Sequence, residues 1–567
     1  MWYRKILILV IIMCLKANLA SALAIKNITP SQNTVEQYSK FELTLEIADV
    51  YILPDDLRVE AKFTGPDGKN ITVGGFYYHG NYKVRFTPTV SGRYFYKVTV
   101  QSGRYTIQSP SAGFGCVPPT KTRYGFLRSS SLDPHQLVLD SGQHFYILGE
   151  NRFNIYDPDW NYGDKSVEDY ISYMAENGMN TLRMFIRCAR NPNDATRAGY
   201  LEQRLGYYEE DVADQLDAII ESCEKKDVYL ILVAFALGFT PHDDFKNWSN
   251  NPYNKQNEGP CQTKEDFFSE AKAITYQEKK LKYIINRYGY SPNLLSIDLF
   301  NEPEWDGGIP EAWWIPWAVG RGKYLKKIDP YGHLVTLGSV GPQWNIKGYN
   351  EEDWYKDSSN DTIQWHLYGS QSVDEVAYKM RNFIRGRWYY NKPIYCGEFA
   401  WGEEPKPAYD HTHNGIWAAI MSGGGALAHS APEYNPQTDE LMTPVRAAHF
   451  KALAEFLQDV PWDKNLQYKA AGIVSNSPAV KIWALGGNDY IMGWLLDGDK
   501  KKYGQKLTGL SLTVADLAEG DYAVEWWDTR RGVLVSSETV NCRNNILKAN
   551  IPPFEKDIAC KIKVFVK

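Results

Sequence analysis

Cysteine is scarce in this chain, with 8 residues among 567, and no two of them form a CxxC pair. Scattered thiols exclude a structural zinc of the finger or ribbon kind. No block of lysine or arginine is present, and the formal net charge is -6. Together these exclude a nucleic-acid partner. The apolar run at the N-terminus is too short for a comfortable membrane span, and no later run looks like one. No glycine-rich phosphate fingerprint follows the first strand candidate, which removes a dinucleotide-binding domain. Nothing in the residue pattern calls for a metal or a cofactor.

The one apolar run sits at the start. Arg4 and Lys5 precede Ile6 to Leu15, and Ala20-Ser21-Ala22 and Ala22-Leu23-Ala24 both suit cleavage. Residues 1–24 are therefore expected to be a signal peptide. The mature protein is expected to be secreted, extracellular or periplasmic, or held at the cell surface. Cys14 leaves with the signal. Of the seven thiols left, Cys542 and Cys560 flank one strand pair and are the best disulfide candidates. Sequons stand at Asn27, Asn70, Asn247 and Asn360.

Aromatic residues are abundant, at 14% with 18 Trp. Most are expected in cores and on sheet faces, the rest in a cleft where pyranose C–H faces stack on rings.

The chain divides into three by pattern. Residues 25–118 alternate apolar and polar, as in Phe41 to Ile47 and Tyr94 to Val100, with turns such as Pro66-Asp67-Gly68. Short strands at this spacing predict an immunoglobulin-like β-sandwich. Residues 119–460 repeat strand, loop, helix. Eight strand candidates are Phe145–Leu148, Thr181–Ile186, Val228–Phe235, Leu295–Phe300, Leu334–Leu337, Thr362–Trp365, Pro393–Cys396 and Ala426–His429. Eight alternations of this length predict an α/β fold, a (β/α)₈ TIM barrel. Residues 461–567 return to strands and predict a second, C-terminal β-sandwich. Both flanking modules are read as structural before sugar-binding.

Chemistry concentrates at strand ends. The second strand carries Arg183, the fourth ends in Asn301-Glu302-Pro303, the sixth gives His366 and Tyr368, and the seventh ends at Glu398. In such barrels catalytic groups lie at the C-terminal tips of the strands. Two carboxylates there suffice for glycoside hydrolysis. These residues, in this order, resemble clan A of the glycoside hydrolases, and most of all the cellulase/mannanase family numbered 5. The resemblance covers the whole barrel segment.

It implies a cofactor-free retaining β-glycosidase acting on a polysaccharide or oligosaccharide of β-glucan or β-mannan type. Glu302 is then the acid/base and Glu398 the nucleophile. Arg183 and Tyr368 serve Glu398, Asn301 binds the sugar 2-hydroxyl, and His366 orients substrate or Glu302. Trp401, His242 and Trp248 are further substrate-binding candidates, the last two on a long segment after strand three. Its Asn251-Pro252-Tyr253-Asn254 stretch resembles a loop laid over the cleft. Strand eight departs from the family, reading Ala428-His429-Ser430-Ala431 where a tryptophan is common. The alternatives are an exo-acting glycosidase with a closed pocket, and a non-catalytic carbohydrate-binding protein on the same scaffold.

Overall fold

The computed structural model describes residues 23–565 except 49–56, 122–123, 153–165, 187–200, 237–247, 249–250, 305–308, 341–351, 371, 373, 400–407, 430–442, 465, 470–471, 488 and 500–502.

Eight strands form one parallel sheet: β1 (Leu148–Arg152), β2 (Thr181–Phe185), β3 (Tyr229–Phe235), β4 (Leu294–Asn301), β5 (Leu334–Gly338), β6 (Ile363–Leu367), β7 (Ile394–Phe399) and β8 (Gly425–His429). Neighbours pair from β5 back through β1 to β8, then β7 and β6. The ends of that order meet, with Asp361 N donating to Val335 O at 2.9 Å and His366 N to Ser339 O at 2.8 Å. The sheet is thus a (β/α)₈ barrel. Its strands are buried on both faces, which is why they read as apolar runs rather than alternations.

Seven strands fall where the sequence pattern puts them, within a few residues. The first does not. Phe145 belongs instead to a small antiparallel sheet of Leu127–Ser129, Leu137–Leu139 and His144–Phe145. Leu127, Leu137, Leu139 and Phe145 pack with Ile147, Ile231, Leu295 and Leu427, closing the base of the barrel. The barrel strand begins at Leu148 and contains Glu150, Asn151 and Arg152, all buried. Hydropathy selected the apolar segment before it because buried polar residues leave no apolar signature.

Helices surround the barrel, among them Glu210–Lys226, Ala271–Tyr288, Glu311–Ile328 and Pro444–Leu457. The short helix Asp266–Ser269 ends before Ala271, where the Glu270 side chain accepts from Lys272 N and caps the longer helix that follows. No helix among the described residues is long and apolar enough to cross a membrane.

The N-terminal region forms a four-stranded and a six-stranded sheet. Phe41, Leu43 and Leu45 face inward while Glu42 and Thr44 alternate outward. Phe41 stacks on Phe114 at 3.8 Å and Phe63 on Phe86 at 4.0 Å between the sheets. Arg85 ties this module to the barrel, its Nη1 and Nη2 reaching Asp217 at 2.5 and 2.9 Å.

The C-terminal region forms a six-stranded and a three-stranded sheet. Its Trp483, Met492 and Trp494 join Trp417 and Phe456 of the barrel helices in one hydrophobic cluster. The expected Cys542–Cys560 disulfide is absent, and both thiols are free and buried. Cys542 lies opposite Gly520, and Cys560 opposite Trp526 on the same strand. Six residues of strand place the two roughly 20 Å apart, far beyond the Cα separation a disulfide spans.

Candidate active site

β4 and β7 deliver the two carboxylates to the same end of the barrel. The ladder slips between Asp298 and Asn301 on β4 and between Cys396 and Phe399 on β7. Such bulges re-aim side chains at barrel rims. Glu302 follows the β4 slip with φ of 50°. That left-handed backbone costs on the order of 1 kcal/mol. It is held by Glu302 N donating to Gly338 O at 2.8 Å.

One oxygen of Glu302, one of Glu398 and a ring nitrogen of His366 all lie within 4.8 Å of one another. His366 Nδ1 hydrogen-bonds Glu302 Oε1 and stands 3.6 Å from Glu398 Oε2. Glu398 is gripped from two sides. Arg183 Nη1 donates to Oε1 at 2.6 Å, and the Tyr368 hydroxyl donates to Oε2 at 2.5 Å.

Arg183 is completely buried and every arm of its guanidinium is used. Nε donates to Asp298 Oδ2 at 2.9 Å, Nη2 to Asn301 Oδ1 at 2.8 Å, and Nη1 also to Asn151 Oδ1 at 2.6 Å. Asp298 is held in turn by Gln364 Nε2 at 2.7 Å and Gly338 N at 3.0 Å. Only glycine fits at 338, because a Cβ there meets Arg183 Nη2 and Gln364 Nε2 at 2.8 Å. Since Asn301 accepts through Oδ1, its amide N–H groups remain for a ligand.

Electrostatics separate the roles. Burial raises the Glu302 carboxyl to about 7; Arg183 opposes the rise and Asp298 adds to it. Burial lowers His366 to about 4, so the imidazole beside Glu302 is neutral near pH 7. Burial and then the Glu398 charge push the Tyr368 hydroxyl well above its ordinary value, keeping it a donor. Burial works against the Arg183 charge, but Asp298 and Glu398 outweigh it and raise its pKa. The result is a proton donor facing an acceptor carboxylate that already has two donors. Glu302, His366 and Glu398 have the donor types of a cation site. Arg183 already supplies the positive charge there, which fits a hydrolytic pair better than a metal.

Arg183, Asn301, Glu302, His366, Tyr368 and Glu398 therefore converge in one place. Trp248 is half-buried against the barrel core, and its carbonyl accepts from Asn254 Nδ2 at 2.9 Å. Tyr253 is buried against Phe267 rather than open over a cleft. His242 and Trp401 lie outside the described residues. Sequence inspection missed Asp298 and Asn151. The signal for Asp298 was available: a charged residue within a strand buried from Leu294 to Phe300 needs a buried partner.

The comparisons with known proteins agree with this geometry. A family model described as cellulase (glycosyl hydrolase family 5) matches residues 140–427, and a domain of unknown function (DUF5060) matches residues 34–101. Mannan endo-1,4-beta-mannosidase 3 of Oryza sativa subsp. japonica is 25% identical over 245 residues, covering 35% of this chain and 50% of that protein. Mannan endo-1,4-beta-mannosidase 4 of Solanum lycopersicum is 22% identical over 306 residues, covering 47% and 73%. The chain spans about half the length of the first of these curated relatives. A solved structure from Bacteroides vulgatus ATCC 8482, provisionally assigned as a glycoside hydrolase, superposes with a TM-score of 0.67 at 15% identity, covering 94% of this chain and 100% of that one. That likeness shows a shared fold. The family-5 match spans half the chain and contains β1 to β7 with both carboxylates, so this chain belongs to the cellulase family, glycosyl hydrolase family 5.

Proposed function

We propose that the protein is a retaining β-glycoside hydrolase that cuts a β-mannan-type polysaccharide by double displacement, outside the cell that makes it. The observation that carries the mechanism is the pair Glu302 and Glu398, with carboxyl oxygens within 4.8 Å. Retaining enzymes hold their carboxyls about 5–5.5 Å apart, and inverting ones leave about 6.5–9.5 Å for a water. Mannan is favoured over glucan because the curated relatives named above carry mannan endo-1,4-beta-mannosidase names. Secretion is supported by the apolar N-terminal segment and its small-residue cleavage patterns.

In the first step Glu398 attacks the anomeric carbon while Glu302 protonates the departing oxygen. The covalent glycosyl-enzyme forms on Glu398. In the second step Glu302, now a carboxylate, takes a proton from water, which displaces Glu398. Arg183 and Tyr368 hold Glu398 in line for attack. Asn301, fixed through Oδ1 by Arg183, donates from Nδ2 to the 2-hydroxyl as charge develops.

Product stereochemistry decides the mechanism. Proton NMR of the first product formed from β-1,4-mannan oligosaccharides is expected to show the β-anomer before mutarotation. An initial α-anomer indicates inversion and overturns the retaining assignment. Release of oligosaccharides from mannan, with none from cellulose, supports the substrate class; the reverse pattern overturns it.

A further inference from the structure

Asn151 sits abreast of both Arg183 on β2 and His429 on β8 in the strand register. It is completely buried. Its Oδ1 accepts from Arg183 Nη1 at 2.6 Å, and its Nδ2 faces His429 Nδ1 at 2.6 Å. A guanidinium has only donors, so the amide oxygen must face Arg183 and the amide nitrogen His429. Nδ1 of His429 must then accept, which leaves the ring proton on Nε2. The same Nδ1 lies 4.0 Å from Glu398 Oε2. Arg446 Nη2 donates to the His429 carbonyl at 2.8 Å and holds the strand end.

We propose that Asn151 is a positioning residue: it locks Arg183 onto Glu398 and fixes His429 with its proton on Nε2, so that the strand-eight wall is an imidazole that does not compete for Glu398. The proposal rests on Glu398 being the nucleophile. A His429 carrying a proton on Nδ1 would turn that N–H against the Asn151 amide or toward Glu398. An imidazolium beside Glu398 would withdraw its negative charge from the anomeric carbon. Among the described residues, the charged and titratable groups around His429 are Arg152 on β1, Arg183 on β2, His366 on β6, Glu398 on β7 and Arg446 on the last barrel helix. After burial, the cations among them also disfavour protonation. Asn151 therefore completes an arrangement in which His429 stays neutral and fixed in tautomer.

Asn151→Asp tests this, because a carboxylate still accepts from Arg183 but demands an N–H from His429 Nδ1. The tautomer flips and the added negative charge favours the imidazolium. With a dinitrophenyl β-mannobioside as probe, the acid limb of kcat/KM is expected to rise by about one pH unit or more. At the optimum kcat falls about a hundredfold with KM little changed. In the double variant Asn151→Asp/His429→Gln the strand-eight imidazole is gone while His366 is unchanged, and the acid limb returns to the wild-type position. An acid limb that stays put in Asn151→Asp, or a double variant with the same displaced limb, overturns the proposal. A second measurement needs no substrate. In wild-type protein labelled with ¹⁵N-histidine, the His429 resonances, identified by their loss in His429→Gln, should show Nδ1 bare and Nε2 protonated. A protonated Nδ1 overturns the proposal. Failure of the wild type to cleave the probe counts against the proposed function, and the ¹⁵N measurement still decides the tautomer.

Discussion

Arg183 reaches Glu398 Oε1 at 2.6 Å from a fully buried position and is itself anchored by Asp298 at 2.8 Å. The nucleophile candidate is thereby aimed by a charge that cannot move without breaking a second buried ion pair. Removing one partner of such a pair leaves an uncompensated charge and costs about 3–5 kcal/mol. Asp298→Ala is expected to lower the melting temperature and to abolish hydrolysis together, measured by calorimetry and by product release. Loss of activity at an unchanged melting temperature would contradict the anchoring role.

Glu302→Gln removes the proton donor. Hydrolysis of mannan should fall by about a hundredfold or more, while aryl glycosides with acidic leaving groups keep part of their turnover. Azide should raise turnover of the aryl substrate by replacing the water that Glu302 activates. Wild-type rates on mannan in this variant would refute the acid/base assignment.

The raised Glu302 carboxyl, at about 7 against an ordinary 4.5, makes two pH predictions. The first step needs the protonated form, so kcat/KM should decline as pH rises through about 7. The folded protein also binds this proton more tightly than the unfolded chain. That contribution to stability is complete below the unfolded value and lost as pH rises through 7, where the buried charge costs about 3 kcal/mol. Glu302→Gln lacks the charge. It should melt several degrees above wild type at pH 8, with the gap closed near pH 4.5. Equal melting temperatures at pH 8 would show that the carboxyl is not desolvated.

Glu398 should carry the covalent intermediate. A 2-fluoro mannosyl fluoride slows both steps and retains a good leaving group, so the adduct should accumulate. Peptide mass spectrometry should place it on the segment containing Glu398. Glu398→Ala should bind mannan oligosaccharides and cleave none, since a nucleophile acts on the transition state more than on the bound substrate. An adduct on another residue would require a different mechanism.

The C-terminal sandwich is part of the barrel's packing. His413 on a barrel helix meets Asp557 at 2.6 Å, and Arg530 meets Asp410 at 2.6 Å. Trp494 Nε1 donates to the same Asp557 at 2.8 Å. A chain ending at residue 460 exposes Trp417 and Phe456 and should be insoluble or bind hydrophobic dyes, whereas treatment of the full chain with reductant should leave its melting temperature unchanged. A soluble, active barrel without the sandwich would show that the shared core is dispensable.

The sequence by itself determined the alternation of strands and helices, the two flanking β regions, and the strand-end order of Arg183, Asn301, Glu302, His366, Tyr368 and Glu398. These were legible because apolar periodicity and strand-end placement are local properties of the chain. The first barrel strand was not legible, because its buried residues Glu150, Asn151 and Arg152 are polar: Asn151 meets Arg183 and His429 inside the barrel, while Glu150 and Arg152 meet Tyr170 of the first barrel helix outside it. The separation of Cys542 from Cys560 was hidden for a related reason: which residues of two strands lie opposite is set by register, which no spacing reveals. Only the tertiary structure decided that Asp298 anchors Arg183 and that Asn151 joins Arg183 to His429. Those contacts cross 115, 32 and 278 residues of chain. Hydrogen-bond direction and burial at such separations exist only once the barrel has closed.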